Sequence, residues 1–477
     1  MMYEYDSMDA ARIIAYFKGK SILITGSTGF LGKILVEKIL RVQPDANKIY
    51  LLVRGTDASS AKQRAQEEVI GTELFGKLSE KHGDGFQQFI QEKIVALPGD
   101  IIYDNLGLDA PTLEALAKDI DAIVNIAATT NLYERYDVSL DVNVMGVKHL
   151  CHFAQQCANL KMLMHVSTAY VCGDRDGLHL EKPIKPGESL LEGKYLDVDA
   201  ELRLVREAKK ELMDVSDDER KKTERKATKE LGIQRARHFG WSNTYIFTKA
   251  MGDRRWSWGS SGGTRTIDTL IIGYAKQNLS CFLGDLSVVV DLIPGDMVAN
   301  AMMAAMVAHS EEKGAEVVPV YHVTSSLRDP VTYSVLYESG RRHFYQNPRV
   351  GKDGKVIPTR EMRFFPTITQ FHLYMMLTFK LPLEFLHLVN LLLGGLFARL
   401  YNDLNRKYKF VMHLVDVYGR FALFNGCFDD MNMERLRLTM VMKTPEDQMF
   451  NFDPKTINWD DYFIKIHIPG VLKYLCK

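Results

Sequence analysis

The fold of this chain is decided by the stretch Ser21-Ile22-Leu23-Ile24-Thr25-Gly26-Ser27-Thr28-Gly29-Phe30-Leu31-Gly32-Lys33. Its apolar run Ile22–Ile24 is too short for a helix and ends at a glycine, which predicts a buried β-strand. The amphipathic pattern from Phe30 to Val42 predicts a helix directly after the glycines. A strand, a glycine-rich turn and a helix in this order predict that the helix directs its N-terminal amides at the phosphates of a dinucleotide.

The three glycines have separate roles in this prediction. Gly26 allows a tight turn, Gly29 lets the backbone approach a pyrophosphate, and Gly32 lets the helix lie close to the strand. The alternative is a turn whose glycines serve structure alone. We expect the cofactor to be held by Thr25, Gly26, Thr28, Gly29, Phe30, Leu31 and Gly32.

Length, charge and cysteine content exclude several classes of protein. The 477 residues suffice for a large core and two domains. Lys and Arg number 60 and Asp and Glu number 60, so no global basic field points to nucleic acid. The six cysteines form no C-x-x-C pair, which predicts free thiols in a reducing compartment and no metal site. The N-terminal residues contain acids and lack a basic-then-apolar pattern, so we expect no signal peptide and an intracellular protein.

The second and fourth strands predict further cofactor contacts. The run from Lys48 predicts a strand that ends in Arg54, where an NAD-binding enzyme places an acid against the ribose 2′-hydroxyl. A guanidinium there suits a 2′-phosphate, so we expect NADPH, although a solvated surface arginine is the alternative. The fourth strand ends in small residues that leave room for the ribose and inner phosphates near Asn125 and Ala127, or that merely pack against a helix.

Two motifs further along the chain predict the reacting groups. The fifth strand, from Met162, runs into the hydroxyl pair Ser167-Thr168, at the end where open α/β sheets bind ligands. Tyr245 and Lys249 are four residues apart on a predicted helix and therefore share one face. A free phenol has a pKa of about 10, which a nearby ammonium lowers. The alternatives are hydroxyls that cap backbone groups and a Tyr–Lys pair at the surface.

The spacing Gly26-x-x-Gly29-x-x-Gly32 resembles that of the extended short-chain dehydrogenases/reductases, and Thr25 to Lys33 is similar to the alcohol-forming fatty acyl-CoA reductases of plants. The resemblance covers nearly the whole chain. It implies a doubly wound parallel Rossmann-type sheet that binds NADPH, followed by a mainly helical domain of the male-sterility type. It also implies reduction of a long-chain or very-long-chain fatty acyl-CoA to a primary alcohol, with release of CoA. The C-terminal segments that carry it are Asp416–Gly419, Gly426–Asp430, Asn451–Ile457 and Trp459–Phe463.

The same resemblance assigns roles to single residues. Alignment of Val171-Cys172-Gly173 with the Val-Tyr-Gly of the family places Thr168 at the catalytic Ser/Thr position. It makes Tyr245 the proton donor and Lys249 the residue that holds the ribose and tunes Tyr245. The loop with Asp100 and Ile101 is then expected to touch the adenine, and Asn143 to steady the active site.

The composition changes towards the C-terminus. We expect a reductase domain over residues 1–345, a Gly-, Pro- and Lys-rich linker over 346–365 and a helical domain over 366–477. The apolar stretch 371–401 carries Lys380, Glu384 and His387, which would be costly inside a bilayer. It predicts either peripheral contact with a membrane, such as that of the endoplasmic reticulum, or helices buried in a small domain.

One segment departs from the family pattern. Residues 253–262 replace the end of the catalytic helix and the following strand with a Gly/Ser cluster that predicts a loop. We therefore expect the sixth strand to be missing and the activity to be impaired. This leaves two alternatives to an active reductase: an impaired cofactor-binding protein that serves as a sensor or partner, and a sugar-nucleotide epimerase or dehydratase. The long insertion 174–239 and the apolar C-terminal region speak against the epimerase.

Overall fold

The computed structural model describes residues 6–210, 217–256, 259–261, 266–276, 279–310, 319–350 and 354–475. Its first part alternates strands with helices, the pattern of a parallel sheet covered on both faces. The strands there are β1 (Ser21–Thr25), β2 (Lys48–Val53), β3 (Ile94–Pro98), β4 (Ala122–Asn125) and β5 (Met162–Ser167). The helices are α1 (Ala10–Phe17), α2 (Phe30–Val42), α3 (Ala58–Ala65), α4 (Gly76–His82), α5 (Phe86–Lys93), α6 (Ala110–Asp119), α7 (Tyr136–Leu140) and α8 (Gly146–Gln156).

The middle of the chain adds the charged insertion and the second half of the sheet. The predicted solvated helices of the insertion are α9 and α10, and the helix of the Tyr–Lys motif is α11. The helices are α9 (Val198–Lys210), α10 (Asp217–His238), α11 (Thr244–Trp256), α12 (Thr266–Ala275) and α13 (Gly295–Ala308). The strands are β6 (Gly177–His179), β7 (Gly259–Ser261), β8 (Cys281–Leu283), β9 (Val289–Val290) and β10 (Val320–His322).

The last part of the chain is mainly helical, as predicted. Its helices are α14 (Tyr333–Gln346), α15 (Ile368–Met375), α16 (Leu381–Leu392), α17 (Ala398–Ala422), α18 (Met431–Leu438), α19 (Pro445–Gln448), α20 (Trp459–Asp461) and α21 (Ile468–Leu475). Its strands are β11 (Val331–Thr332), β12 (Arg349–Val350), β13 (Val356–Ile357), β14 (Arg363–Phe365) and β15 (Gly426–Phe428).

The main sheet has the strand order β10-β7-β5-β4-β1-β2-β3, and all of its pairings are parallel. Because β1 lies between β2 and β4, the connections turn in opposite directions on its two sides. Open parallel sheets bind ligands at such a switch point, outside the carboxyl ends of the strands. The sequence analysis predicts that the glycine turn, the cofactor-binding candidates and the catalytic candidates lie at this edge.

The prediction that the sixth strand is absent is wrong. The backbone of Gly259–Ser261 forms β7, which pairs with β5 on one side and β10 on the other. Hydropathy missed it because strand pairing uses backbone N–H and C=O groups, which glycine and serine also supply. The strand is only three residues long, but it fills the gap in the sheet that motivated the expectation of an impaired protein.

The C-terminal region is joined to the reductase region by shared backbone pairings. Strand β15 pairs with β6 and β14 with β8, and Met8 bridges to Met440. Glu181, which is buried, accepts hydrogen bonds from the backbone N of His322 at 2.7 Å and of Met433 at 3.2 Å. The two regions thus share paired strands and a core. The division of the chain into two domains stays a prediction.

Helices α15 and α16, joined by a π-helical turn at 376–380, form one continuous rod, and α17 packs against it as the second arm of a helical hairpin. Phe371 and Met375 anchor this hairpin in the core. At its tip, Asn390 closes the turn by accepting from Gly395 N and, through its side chain, from Phe397 N, both at 2.8 Å. Leu383 on α16 and Val411, Leu414 and Val415 on α17 are also buried. Many of its other large apolar side chains are exposed, including Leu373, Leu377, Leu381, Phe385, Leu388, Leu391, Leu392, Leu393, Leu396 and Leu400.

Candidate active site

The glycine turn after β1 leaves no space for side chains at two of its three glycines. Gly26 has a φ of +68°, and a Cβ atom there would lie 2.6 Å from Ala127 N. A Cβ on Gly32 would lie 2.4 Å from the carbonyl oxygen of Gly26. A Cβ on Gly29 would meet only that same oxygen, at 3.1 Å. Gly26 and Gly32 therefore set the turn, and the exposed Gly29 leaves open backbone where a ligand can approach.

Helix α2 begins at this turn without a side-chain cap. Its N-cap residue is Gly29. The first N–H groups of a helix without a cap are free to bind an anion, and the helix dipole favours negative charge there. Thr28 and Leu31 are half-buried and Phe30 is exposed, so these residues line the predicted phosphate position. The arrangement fits a dinucleotide.

Thr25 and Asn125 lie below the site, and their side chains do not face a ligand. Both are 1% exposed, and the Thr25 hydroxyl donates to Asn125 Oδ1 at 2.6 Å. Ala127 N donates to Thr25 Oγ1 at 3.2 Å, which ties the end of β4 to the end of β1. As cofactor-binding residues, Thr25 and Asn125 would thus act by shaping the crevice, whereas the half-buried Ala127 borders it.

The predicted adenine and 2′-phosphate residues lie at the ends of β3 and β2. The Asp100 carboxylate accepts from Ile102 N at 3.2 Å and so stabilises its own loop. Ile101 is buried against Gly146, where an added Cβ would lie 2.5 Å from Ile101 Cδ1. Arg54 is exposed directly after β2. Contact of all three with the cofactor remains a prediction.

Strand β5 and the turn after it are joined to α11 and the segment before it by two hydrogen bonds to backbone carbonyls. Trp241 Nε1 donates to Val171 O at 2.9 Å, and Lys249 Nζ donates to Val166 O at 2.8 Å. Thr168, between those two carbonyls in the chain, is buried and accepts from Tyr170 N at 3.4 Å. These contacts hold the predicted catalytic residues Thr168, Tyr245 and Lys249 on facing elements, at the edge where the glycine turn also lies.

The pKa of the Tyr245 phenol is higher than the sequence analysis expects. Its side chain is 4% exposed, and burial, with a smaller contribution from Asp253, raises its pKa above the usual value. The direction is opposite to the lowering expected from Lys249, whose ammonium bonds His165 Nε2 at 3.1 Å and Val166 O at 2.8 Å. Tyr245 therefore keeps its proton at neutral pH and is a group that can give one away.

Two further polar residues contact the candidate residues, and the sequence analysis does not single them out. His165 is 1% exposed on β5, and Asp253 lies on α11, with one carboxylate oxygen 3.3 Å from His165 Nε2 and the other accepting from Ser167 Oγ at 2.5 Å. Asp253 follows Tyr245 and Lys249 at the i+4 repeat of one helix face, so the spacing could have identified it. The signal for His165 was a histidine inside an otherwise apolar strand.

Asn143 occupies the buried bridging position that its motif suggested. It is 1% exposed in the π-helical turn between α7 and α8. Its side chain accepts from Thr129 N at 3.1 Å and donates to Thr248 Oγ1 at 3.0 Å. It thereby ties the loop after β4 to the residue beside Lys249.

No group of three or more His, Cys, Asp or Glu residues that could hold a metal occurs in the described part of the chain.

Comparison with known proteins finds similar chains over nearly the whole length. Two family profiles, both described as male sterility protein, match residues 24–256 (an NAD-binding profile) and 378–477. Fatty acyl-CoA reductase 1 of Arabidopsis thaliana is 43% identical over 97% of this chain and 99% of its own length. The alcohol-forming fatty acyl-CoA reductase of Simmondsia chinensis is 42% identical over 97% of this chain and 98% of its own.

Solved structures share the fold. The terminal R domain from the myxalamid PKS-NRPS biosynthetic pathway has a TM-score of 0.53 at 17% identity, covering 95% of this chain and 90% of that one. The reductase domain of a nonribosomal peptide synthetase from Mycobacterium tuberculosis has a TM-score of 0.50 at 16% identity, covering 98% and 97%. The predicted Rossmann-type sheet with a helical C-terminal region is confirmed.

Proposed function

The chain belongs to the fatty acyl-CoA reductase family, and on that premise we propose that it reduces a long-chain or very-long-chain fatty acyl-CoA to a primary alcohol with NADPH, releasing CoA. It binds a nicotinamide cofactor. The observation that supports the proposal is the hydrogen bond from Lys249 Nζ to Val166 O, which holds α11, the helix of Tyr245, against the end of β5 that leads into Thr168. Incubation with NADPH and a panel of acyl-CoAs of different chain length, with chromatographic analysis of aldehyde, alcohol and free CoA, tests it.

The reaction needs two reductions and the departure of a thiol. When bound, the nicotinamide supplies a hydride to the carbonyl carbon in each reduction. In the first, the thioester carbonyl becomes a hemithioacetal, whose C–S bond breaks to release CoA and leave the aldehyde. In the second, the aldehyde oxygen takes a proton as the primary alcohol forms. The chain's own residues have to hold the carbonyl, stabilise the oxygen that gains negative charge and deliver protons.

Thr168 and Tyr245 suit those tasks. Both side chains carry a hydroxyl that can hydrogen-bond the carbonyl oxygen as its charge develops. Tyr245, whose pKa is raised by burial, is protonated at neutral pH and can pass that proton to the oxygen. Their burial excludes water, which strengthens each hydrogen bond and protects the aldehyde between the two steps.

The cofactor is proposed to be NADPH because of Arg54. Its guanidinium is exposed just beyond β2, where the ribose 2′-substituent of a dinucleotide on this turn would lie. We expect Arg54→Asp to reverse the preference, since a carboxylate repels a 2′-phosphate and accepts a bond from a 2′-hydroxyl. Titration of wild type and variant with NADPH and NADH measures it. Arg203→Asp, an exposed arginine on α9, is the matched control, and equal wild-type affinity for both cofactors would contradict the role of Arg54.

The two alternatives lose support. The hypothesis of an impaired cofactor-binding protein rests on a missing sixth strand, and β7 lies at that position in the sheet. The sugar-nucleotide enzyme conflicts with identities of 43% and 42% to fatty acyl-CoA reductases over nearly the whole chain.

The helical hairpin supports peripheral membrane contact. Among the described helices, Ile368–Leu392 alone is long and apolar enough to cross a membrane, and only 17% of its most apolar window is buried. Its middle carries the ion pair Lys380–Glu384 at 2.6 Å, with both side chains nearly half exposed, which favours a position in the interface. We therefore propose that the hairpin lies in one leaflet, such as the cytoplasmic face of the endoplasmic reticulum, without crossing it.

Replacing two tip leucines should release the protein from membranes. Leu392 and Leu396 are 84% and 73% exposed, and transfer of a leucine side chain from water is worth about 1.5–3 kcal/mol. For Leu392→Ser/Leu396→Ser we expect flotation with lipid vesicles to fall at least about a hundredfold. Leu438→Ser, at a leucine that is 72% exposed outside the hairpin, should float like wild type. Wild-type protein that stays in the pellet after carbonate extraction would contradict an interfacial position.

A further inference from the structure

A connected chain of buried polar side chains lies beneath the candidate site, and the proposed chemistry leaves part of it unexplained. It starts at the Thr25 hydroxyl, which contacts Asn125 Oδ1 at 2.6 Å. Asn125 Nδ2 lies 2.9 Å from His165 Nδ1, and His165 Nε2 lies 3.1 Å from Lys249 Nζ. All four residues are 1% exposed. The chain therefore crosses β1, β4 and β5 and ends at the ammonium on α11.

The chemistry of the ammonium fixes the state of the imidazole. An ammonium only donates, so its contact with His165 Nε2 uses a lone pair there and places the ring proton on Nδ1, whereas Asp253 Oδ1, 3.3 Å from the same Nε2, is an acceptor for the opposite tautomer. The Asn125 amide can turn its oxygen to Nδ1–H, because the Thr25 hydroxyl both donates and accepts and is satisfied in either orientation. Burial, together with the Lys249 charge, lowers the pKa of His165 against the opposing effect of Asp253. The ring is therefore neutral, and its lone pair faces Lys249.

The ammonium has few other partners. Val166 O accepts from it at 2.8 Å, and Asp253 provides the nearby negative charge. Burial lowers the pKa of Lys249 to about 8, against the opposing effect of Asp253. Among the described residues, the titratable groups around it are His165 on β5 and, on its own helix, Tyr245 and Asp253. Loss of the His165 acceptor would thus remove one of the few contacts that keep this buried ammonium charged and in place.

We propose that His165 is a positioning residue that holds the Lys249 ammonium for the cofactor ribose and thereby sets cofactor affinity and its dependence on pH. The inference rests on the ribose-binding role proposed for Lys249. Asn125 and Thr25 would act through His165 by keeping the ring proton on Nδ1. Since a protonated Lys249 favours the cofactor, wild-type affinity should fall as the pH rises through about 8.

The test compares variants that retain or lose the acceptor. In His165→Gln the amide oxygen can take the position of Nε2 and bond Lys249, whereas the shorter side chain of His165→Asn reaches only the position of Nδ1. NADPH dissociation constants are measured from cofactor fluorescence without acyl-CoA, over about pH 6 to 9. We expect His165→Asn to weaken binding about tenfold and to move the alkaline loss of affinity to lower pH, and His165→Gln to stay close to wild type.

A double-mutant cycle separates positioning from packing. Adding His165→Asn to Lys249→Met should weaken cofactor binding no further, because the group on which His165 acts is gone. Additive losses in the cycle, or equal losses in His165→Asn and His165→Gln with an unchanged pH dependence, would overturn the proposal. Should His165→Asn fail to fold, Asn125→Leu replaces it in the cycle with the same expectation. Wild-type protein that binds NADPH but reduces no acyl-CoA would refute the proposed function and leave this inference standing.

Discussion

Replacing Tyr245 by phenylalanine is expected to lower acyl-CoA turnover by about 10²- to 10⁴-fold, the usual contribution of a positioned proton donor. The cofactor dissociation constant should stay within about twofold, because the ring still fills the same buried space and only the hydroxyl is lost. Turnover is followed by NADPH oxidation and alcohol formation, and affinity by cofactor fluorescence. A phenylalanine variant with wild-type turnover would remove Tyr245 from the mechanism.

The matched control is another buried tyrosine. Tyr136 on α7 is 0% exposed, and its hydroxyl donates to Glu201 Oε2 on α9 at 2.8 Å. Tyr136→Phe removes the same atom, so it should cost about 1 kcal/mol of unfolding free energy while turnover stays unchanged. An equal loss of turnover in both variants would mean that the effect is structural.

Replacing Gly32 by alanine is expected to weaken both folding and cofactor binding. The new Cβ would lie 2.4 Å from Gly26 O and 2.8 Å from Ser27 Cα, both backbone atoms that cannot rotate away. Relief requires a shift of about 1 Å between α2 and the glycine turn, and overpacking of this kind costs about 1–3 kcal/mol. Because the turn holds the phosphates, turnover at low cofactor concentration should fall about 10²-fold.

Gly76→Ala is the corresponding control. Gly76 already has helical angles, φ −55° and ψ −48°, and an added Cβ meets nothing within 4 Å. Alanine there should leave activity unchanged and stabilise the fold by about 0.4–1 kcal/mol, because it restricts the unfolded chain. Thermal unfolding and turnover of the two variants measure the contrast. Similar behaviour of Gly32→Ala and Gly76→Ala would contradict the close-packed role of Gly32.

Local patterns predicted those parts of the fold that depend on neighbouring residues. Helix α2 begins at Phe30 and ends at Val42 as its amphipathic pattern indicated, and the apolar run before it became β1. The i,i+4 spacing placed Tyr245 and Lys249 on one helix face. In each of these cases the deciding interactions lie within a few residues along the chain.

The parts that escaped prediction depend on contacts between distant residues. The direction of the Lys249 ammonium is set by His165, 84 positions earlier in the sequence. Strand β7 exists because the backbones of β5 and β10 flank it, not because of its own Gly/Ser side chains. The partners of β6 and β8 lie in the last third of the chain. Periodicity carries no information about such pairings.

The pairings between the chain's two ends bear on how the protein is made. Met8 forms a β-bridge with Met440. Strand β6 is synthesised about 250 residues before its partner strand β15. At a synthesis rate of about 5–20 residues per second, β6 stays without β15, and Glu181 without Met433, for about 12–50 s. During that interval the exposed hairpin and the unpaired strands are open to non-native association. We conclude that the native core closes only after translation ends, so a chain cut before Gly426 would lack part of its own core.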